Sequence, residues 1–401
     1  MLPIVRASAK HTPIVGLLIV SAVLRAYRLP DMPGSLIGDE VWYVQAARVL
    51  AGFPVLMNHL PATALSGLDP NFEHPPLAKV VIAESMRLLG NREIAWRIPS
   101  VVLGTLSIWL LYRIILALGG TRGQALFGAF VLAFDSLFFL HGRIGTLDIY
   151  FVTFMLVGTW LYLSSYLELA AIAFAVGALC KMNAVLGLFA MLLYDALLAR
   201  QRWRSPSWRA IGRRAVVVAL FAGFFLLGLG ALDCFFTRFR SPFAHLAEMA
   251  HFHAGLTHVG LSSGTESTPF EWWVNAGTFD YYFWTGTTNG IPAHILFRGV
   301  MNGYVIFIAP LAILYAAERT WRGDSRLATF AVASVAANFV PIFVAWAVMS
   351  RSSYIYYMLP SLPAIACALA LAAFVVPRAT RWAFLALVLY GFVMSFPFRR
   401  F

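Results

Sequence analysis

Charged residues are scarce in this sequence. Only 12% of its 401 residues are Asp, Glu, Lys or Arg, which is about half the share found in an ordinary soluble domain. By contrast, 60% of the residues are hydrophobic and the mean hydropathy is +0.76. A soluble globule of this size needs more polar surface, and a disordered chain needs more charge and fewer apolar residues. The composition therefore excludes both classes and predicts a polytopic membrane protein.

Lysine and cysteine are also rare. Lysine occurs only at Lys10, Lys79 and Lys181, so the net charge of +12 comes mostly from arginine. Most of the arginines lie in short loops between apolar segments, where the positive-inside rule places them. We interpret the charge as a topology signal rather than as a nucleic-acid-binding surface. The three cysteines lie in or beside apolar segments without a CxxC spacing, so they are expected to be small packing residues and not zinc ligands.

Eleven apolar segments are candidates for membrane-spanning helices. They lie near residues 14–29, 99–118, 123–141, 146–163, 168–180, 182–198, 215–235, 299–317, 327–349, 355–376 and 382–396. With the N-terminus inside, the arginine-rich loops near residues 122, 200–214, 319–326 and 378–381 all fall on the inner side, and the C-terminus falls outside. No small-residue cleavage site follows the first segment, so we expect it to be an uncleaved span.

This topology predicts one membrane domain, residues 1–401, with two long outer loops at 30–98 and 236–298. The loops contain eleven of the 18 carboxylates and seven of the nine histidines. Polar chemistry is thus concentrated on one side of the bilayer, and we expect a functional site at the outer face of the cell (cytoplasmic) membrane. Two amphipathic helices are predicted in the first loop, one after Gly38 and one after Pro75 and Pro76.

The first loop carries two candidate motifs. Asp39 and Glu40 are adjacent carboxylates at the membrane face, where acidic side chains are costly unless they are used or paired. The alternative is a helix N-terminus, which acidic residues favour through the helix dipole. Further on, His74 precedes two prolines and Lys79 follows about one turn into the next predicted helix. Here the alternative is a turn with a lysine that reaches the headgroups.

Three arginines lie near the outer ends of predicted spans. Arg97, beside Trp96, suits either a phosphate contact or an interfacial anchor. Arg143 lies five residues before Asp148 in a short outer turn, close enough to form an ion pair that is either structural or part of a site. Arg351 precedes a tyrosine-rich stretch, which is typical of an aromatic belt or of a surface that faces an anionic headgroup.

The second loop is rich in histidine and aromatic residues. His253 and His258 are five residues apart and no HExxH pattern is present, so a metal site is not expected. Glu271 and Trp272 follow in a short Thr-Pro-Phe-Glu-Trp-Trp stretch. We interpret this region as an interfacial loop that contacts substrate.

Taken in order, these motifs resemble the protein O-mannosyltransferase family, which belongs to the GT-C glycosyltransferases. The resemblance runs from about residue 14 to residue 396. It rests on the Asp-Glu pair, His-Pro-Pro-Leu-Ala-Lys at 74–79, Arg-x(3)-Leu-Asp at 143–148 and His-Ala-Gly-Leu-Thr-His at 253–258. It implies an all-α GT-C fold with about eleven transmembrane helices. It also implies inverting transfer of mannose from a polyprenyl phosphate to Ser or Thr hydroxyls of proteins.

The resemblance also assigns roles to residues. Asp39 matches the catalytic acidic residue of the family and Glu40 its neighbour. The residues implied for the donor phosphate and substrate are His74, Lys79, Arg97, Arg143, Asp148, Lys181 and Arg351. Those implied for the acceptor loop are His253, His258, Glu271 and Trp272. No metal and no cofactor is implied. The expected partners are the lipid-linked sugar, a protein acceptor and the bilayer, without nucleic acid and with a dimer left open.

Elementary chemistry supports the same scheme. A hydroxyl nucleophile needs a base, and Asp39 can serve if it lies within hydrogen-bond reach. A phosphate leaving group is already a weak base and needs no acid to protonate it, unlike the alkoxide that departs in a glycosidase. Arginine and lysine side chains are suited to neutralise the phosphate.

Two features depart from the family pattern. Ala78 stands where the family usually has glycine, and the second loop is too short for the soluble insertion of eukaryotic members, which indicates a prokaryotic type. The alternative function is a related GT-C transferase with a lipid or glycan acceptor, such as the aminoarabinose transferases, which typically carry lysine in place of His74. A transporter would place its charges in mid-span instead.

Overall fold

The computed structural model describes residues 12–29, 36–55, 65–201, 208–258, 265–288 and 291–396. Within these residues the chain is a helical bundle with one β-hairpin. The first ten helices are α1 (Thr12–Ala26), α2 (Glu40–Ala51), α3 (Leu77–Leu89), α4 (Glu93–Ala117), α5 (Arg122–Ala133), α6 (Ser136–His141), α7 (Asp148–Leu163), α8 (Leu167–Cys180), α9 (Val185–Gln201) and α10 (Trp208–Phe236). The remaining elements are α11 (Pro242–Gly255), α12 (Pro269–Trp272), β1 (Phe279–Thr288), β2 (Ile291–Gly299), α13 (Gly303–Arg322), α14 (Arg326–Met349), α15 (Leu362–Ala373) and α16 (Arg378–Met394), with 3-10 turns at Met182–Ala184 and Ile355–Ser361.

Each predicted apolar segment overlaps a helix. Among the described residues, six helical stretches are long and apolar enough to cross a bilayer: Glu93–Ala117, Met182–Gln201, Ile211–Phe236, Gly303–Arg322, Arg326–Met349 and Ile355–Ala373. Three shorter apolar helices, α1, α7 and α8, accompany them. The predicted helical membrane architecture is therefore confirmed, whereas the count of eleven spans stays a prediction. The two amphipathic helices expected in the first loop correspond to α2 and α3.

The predicted third span, residues 123–141, is two helices rather than one. Asp135 separates them because its side chain caps α6, where Oδ1 accepts the N–H of Phe138 at 2.9 Å. The other carboxylate oxygen accepts the N–H of Asn302 at 2.9 Å. A buried aspartate with two backbone donors thus ties the break in this segment to the start of α13.

The second long loop contains a β-hairpin that the sequence analysis does not predict. β1 and β2 pair antiparallel from Phe279 opposite Gly299 to Thr288 opposite Ile291, with an irregularity between Asp280 and Tyr282. The fold is therefore helical in its membrane part and carries a small two-stranded sheet between α12 and α13.

The arginine-rich loops meet at one end of the bundle. Gln201 at the end of α9 donates to the carbonyl of Thr320 at 2.8 Å, and Arg326 at the start of α14 donates to the hydroxyl of Tyr194 at 3.1 Å. At the other end of α9, Met182 and Asn183 line a cavity together with residues of both long loops, among them His74 and His253. Residues 202–207, which belong to the predicted inner arginine cluster, lie outside the described residues. The side of the membrane that each kind of loop faces stays a prediction.

Candidate active site

A tight turn places Asp39 immediately before α2. Gly38 has a positive φ of 49°, and its N–H donates to the carbonyl of Tyr281 in β1 at 3.0 Å. The N–H groups of Trp42 and Tyr43 donate to the carbonyl of Asp39 at 3.0 and 3.1 Å. A Cβ atom at position 38 would overlap the ring of Tyr281. Glycine is needed here for both its backbone conformation and its lack of a side chain, and the turn fixes the position of Asp39.

The carboxylate of Glu40 accepts four hydrogen bonds inside the protein. Its carboxylate accepts Nε and Nη2 of Arg97 at 2.8 and 2.7 Å, and it also accepts the N–H groups of Gly145 at 2.7 Å and Ile37 at 3.1 Å. Both Glu40 and Arg97 are fully buried. This geometry does not fit the expected catalytic role of Glu40 or the expected phosphate role of Arg97. The pair instead anchors the turn to α4.

Asp39 faces a cavity of about 610 Å³. Among the residues that the structure describes, no hydrogen-bond donor or cation engages its carboxylate. Burial raises the pKa of Asp39 to about 7, the negative charges of Asp148 and Glu73 act in the same direction, and Lys181 opposes them. A carboxylate with this pKa and no internal partner is suited to accept a proton at neutral pH.

Lys181 supplies a cation to the same cavity. It lies in an extended break between α8 and the following 3-10 turn, and its Nζ donates to Oδ1 of Asp148 at 2.7 Å. Oδ2 of Asp148 lies 3.5 Å from Nδ1 of His141. The pair expected between Arg143 and Asp148 is therefore replaced by a pair between Lys181 and Asp148. Arg143 is buried beside α1, where it donates to the carbonyl of Tyr27 at 2.7 Å.

Lys79 lies behind the cavity wall formed by residues 69–74. It is fully buried, forms an ion pair with Asp69 at 2.6 Å, and donates to the carbonyls of Asn71 and His74, the latter at 3.1 Å. A lysine with three such partners cannot reach a ligand in the cavity without breaking them. The expected phosphate contact does not fit this position, and Lys79 instead holds the wall in shape.

His74, His253 and Arg351 bring the two long loops together at the cavity. The rings of the two histidines are 5.2 Å apart. Nδ1 of His253 accepts a hydrogen bond from Nη2 of Arg351 at 2.9 Å, while Nε2 lies 3.0 Å from the carbonyl of Glu73. Burial lowers the pKa of both histidines, with Lys181 adding to the effect at His74 and Arg351 at His253. All three residues line the cavity, as the resemblance implies, and their roles stay predictions.

The other residues expected in the acceptor loop lie away from the cavity. His258 is exposed, and its N–H donates to the carbonyl of Ser350 at 2.9 Å. Glu271 accepts the N–H of Thr268 at 2.6 Å in the capping box that starts α12. Trp272 is fully buried and donates from Nε1 to Ser267 at 2.9 Å. These contacts shape the second loop from inside.

The sequence analysis missed several residues that line the cavity, among them Asn183, Tyr43 and Tyr357. One signal could have pointed to Asn183. It lies two residues after Lys181, and two polar residues between two apolar segments mark a break in helical structure. Within the described residues, no group of three His, Cys, Asp or Glu side chains is placed to hold a metal ion. The cations at the cavity itself are those of Lys181 and Arg351.

A family model and a curated relative each match part of this chain. Residues 73–226 match the dolichyl-phosphate-mannose-protein mannosyltransferase family, and this range contains His74, Asp148 and Lys181. A polyprenol-phosphate-mannose–protein mannosyltransferase of Corynebacterium glutamicum is 31% identical over 87 residues, which make up 22% of this chain and 17% of that relative. The chain is thus similar to protein O-mannosyltransferases over part of its length, and it spans less than a fifth of the length of this curated relative.

Solved structures of GT-C glycosyltransferases share the fold of this chain. The protein O-mannosyltransferase Pmt1-Pmt2 complex of S. cerevisiae, bound to its sugar donor, is similar with a TM-score of 0.76 at 12% identity, over 97% of this chain and 90% of that one. ArnT of Cupriavidus metallidurans, bound to undecaprenyl phosphate, is similar with a TM-score of 0.62 at 16% identity, over 94% of this chain and 62% of that one. The oligosaccharyltransferase AglB of Archaeoglobus fulgidus is similar with a TM-score of 0.55 at 14% identity, over 97% of this chain and 55% of that one. At these identities the likeness concerns the fold alone.

Proposed function

We propose that this protein is an inverting glycosyltransferase that moves mannose from a polyprenyl phosphate to Ser or Thr hydroxyls of proteins at the outer membrane face. The observation that carries the proposal is the state of Asp39. Its carboxylate has no internal partner among the described residues and a pKa near 7, and it faces a cavity that also holds Lys181 and Arg351. The family match supports mannose as the sugar and a lipid phosphate as its carrier.

The proposed reaction needs one base and one leaving group. The hydroxyl oxygen of the acceptor forms a bond to C1 of the sugar while its proton passes to the carboxylate of Asp39. The bond between C1 and the phosphate oxygen breaks, and its electron pair stays on the phosphate. Attack from the face opposite the leaving group inverts the configuration at C1. The lipid phosphate leaves as an anion and needs no general acid, in contrast to the leaving group in a glycosidase.

The cations at the cavity suit the phosphate of the donor. Lys181 is held by Asp148, and Arg351 is held by His253, so both charges have defined positions. A preorganised cation lowers the cost of the charge that develops on the departing phosphate. Met182 and Ile342 also line the cavity, on two helical stretches long enough to cross the bilayer. This apolar flank suits the first isoprene units of the carrier.

The outer face is supported by the segregation of the loops. The arginine-rich loops meet at the end of the bundle opposite the cavity, and the positive-inside rule assigns such loops to the cytoplasm. The cavity then faces the outside, where a protein acceptor and the lipid-linked sugar can both reach it.

The experiment incubates the purified protein in nanodiscs with polyprenyl-phosphate-mannose and three acceptors. These are a peptide rich in Ser and Thr, the same peptide with alanine at every Ser and Thr, and an extract of membrane lipids. We expect a mannose mass increment on the first peptide alone, with the anomer inverted relative to the donor in the NMR spectrum. An increment found only in the lipid fraction would overturn the protein acceptor and favour an activity like that of the aminoarabinose transferases.

A further inference from the structure

The cavity wall at residues 69–74 has an unusual pattern of backbone hydrogen bonds. Four consecutive carbonyls, those of residues 71 to 74, each face a side-chain donor. Nζ of Lys79 donates to the carbonyls of residues 71 and 74. Nε2 of His245 lies 3.2 Å from the carbonyl of residue 72, and Nε2 of His253 lies 3.0 Å from the carbonyl of residue 73. The four residues belong to no helix or strand. Three side chains therefore provide the partners that regular secondary structure provides elsewhere.

The two histidines differ in what their second nitrogen faces. Nδ1 of His253 faces Arg351, which can only donate, so Nδ1 accepts and Nε2 carries the one ring proton. Nδ1 of His245 lies 2.7 Å from Oδ1 of Asp233 while Nε2 faces a carbonyl. Both of these neighbours are acceptors. The ring of His245 therefore bridges the carboxylate of Asp233 and the carbonyl of residue 72.

The environment of His245 is closed to solvent. His245 is 0% exposed and Asp233 is 1% exposed. Oδ1 of Asp233 also accepts the hydroxyl of Thr237 at 3.0 Å, and the ring of Phe239 stacks on the imidazole at 4.2 Å. Asp233 lies near the end of α10, a span-length helix, where a carboxylate is costly unless it is paired or used. The pair with His245 satisfies this requirement and fixes the orientation of the ring.

We propose that His245 is a positioning residue, which Asp233 orients so that Nε2 holds the carbonyl of Phe72. Through this bond α11 sets the position of the wall that carries Glu73 and His74 in the cavity of Asp39. This role deepens the proposed function, and a test by activity rests on the proposed transfer of mannose. The important contact for the site is the one to Phe72, whereas the bond to Asp233 acts by orienting the ring.

Two conservative substitutions separate these contacts. In His245→Gln the amide nitrogen lies near the former Nε2, so the bond to Phe72 can be kept while the bond to Asp233 is lost. In His245→Asn the amide lies near the former Nδ1, so the opposite bond is kept. We expect His245→Gln to stay within a few-fold of the wild type and His245→Asn to lose roughly tenfold to hundredfold in kcat/KM, since misplacement of a site by about 1 Å can cost this much. Where the wild type is active, equal activities of the two variants, or a more active His245→Asn, would overturn the proposal.

A second readout does not depend on catalysis. Hydrogen–deuterium exchange of residues 69–74 should be faster in His245→Asn than in His245→Gln and the wild type. The matched control is His251→Gln, an exposed histidine on the same helix, which should change neither exchange nor activity. If His245→Gln fails to fold because Asp233 is left unpaired, the double variant Asp233→Asn/His245→Gln removes that charge and takes its place.

The two readouts distinguish failure of this inference from failure of the proposed function. Faster exchange in His245→Asn, in a protein whose wild type transfers no mannose, would keep the positioning role and sink the proposed function. Unchanged exchange at residues 69–74 in every variant would overturn the positioning role, even where activity falls.

Discussion

At the scale of single residues, Asp39 and Glu40 are neighbours with opposite surroundings. Glu40 is fully buried and has Arg97 and two backbone N–H groups on its oxygens, whereas Asp39 faces the cavity. A carboxylate that is already neutralised and hydrogen-bonded gains little from a further proton. A carboxylate without such partners can take one. This contrast supports Asp39, rather than Glu40, as the proposed base, while Glu40 keeps the turn in place.

The raised pKa of Asp39 predicts a pH dependence of transfer. The base acts as the carboxylate, so kcat/KM should rise about tenfold per pH unit below the pKa near 7 and become level above it. In Glu73→Gln the midpoint should move to lower pH, because the charge of Glu73 helps to raise the pKa of Asp39. Initial rates measured from about pH 5 to pH 9 test both statements. A flat profile in the wild type, or an unmoved midpoint in Glu73→Gln, would contradict them.

The position of Arg97 predicts a defect in stability. Arg97→Ala leaves Glu40 as a buried charge without its guanidinium, which costs about 3–5 kcal/mol in comparable buried pairs. We expect a clearly lower midpoint of thermal unfolding in detergent, with partial recovery in Arg97→Met/Glu40→Gln. Arg122→Ala, which removes an exposed arginine at the start of α5, serves as the control. Normal stability of Arg97→Ala with a raised KM for the donor would restore a phosphate role for Arg97.

At the scale of elements, the turn before α2 depends on the β-hairpin. The carbonyl of Tyr281 accepts the N–H of Gly38, its ring covers Gly38, and its hydroxyl lies 2.6 Å from Nε2 of His141. His141 in turn lies near Asp148, the partner of Lys181. The hairpin thus contacts both sides of the site, the turn that carries the base and the residues that hold the cation.

This contact predicts that Gly38→Ala abolishes transfer. A methyl group at position 38 would overlap the ring of Tyr281, and a φ of 49° costs an L-residue about 1–2 kcal/mol in addition. We expect an inactive but membrane-inserted protein, measured as transfer per amount of protein in membranes. Gly212→Ala is the matched control, because its Cβ meets no atom within 4 Å. Near-normal transfer by Gly38→Ala would show that the turn tolerates displacement.

The helices themselves could be predicted from sequence, because a long apolar run has few alternatives to a helix in a bilayer. The positions where a helix breaks or a hairpin forms are harder to predict from sequence. Asp135 breaks a predicted span because its side chain caps α6 and also accepts a hydrogen bond from Asn302, which is remote in sequence. The hairpin follows from pairing between strands rather than from local pattern. Local composition identifies where the chain is apolar. It does not show where a tertiary hydrogen bond ends a helix.

At the scale of the whole molecule, the sequence predicts that two distant loops share a site, and the cavity contains residues from both. Asp39, His74 and Lys181 meet His253 and Arg351 there. The sequence does not show which charged side chains form ion pairs inside the protein. The pairing of Arg97 with Glu40, and of Lys79 with Asp69, depends on elements that become neighbours only in the folded bundle. The motifs therefore point to the region of this cavity, and they leave the role of each cation open.

The central claim is that Asp39 is the base of a mannose transfer to hydroxyls. The most direct measurement compares the wild type with Asp39→Asn in nanodiscs, recording peptide mass and donor binding on the same samples. The account predicts mannose on the Ser/Thr peptide with the wild type. With Asp39→Asn it predicts a rate lower by roughly 10²–10⁴-fold while the donor still binds. Transfer by Asp39→Asn at the wild-type rate would contradict it.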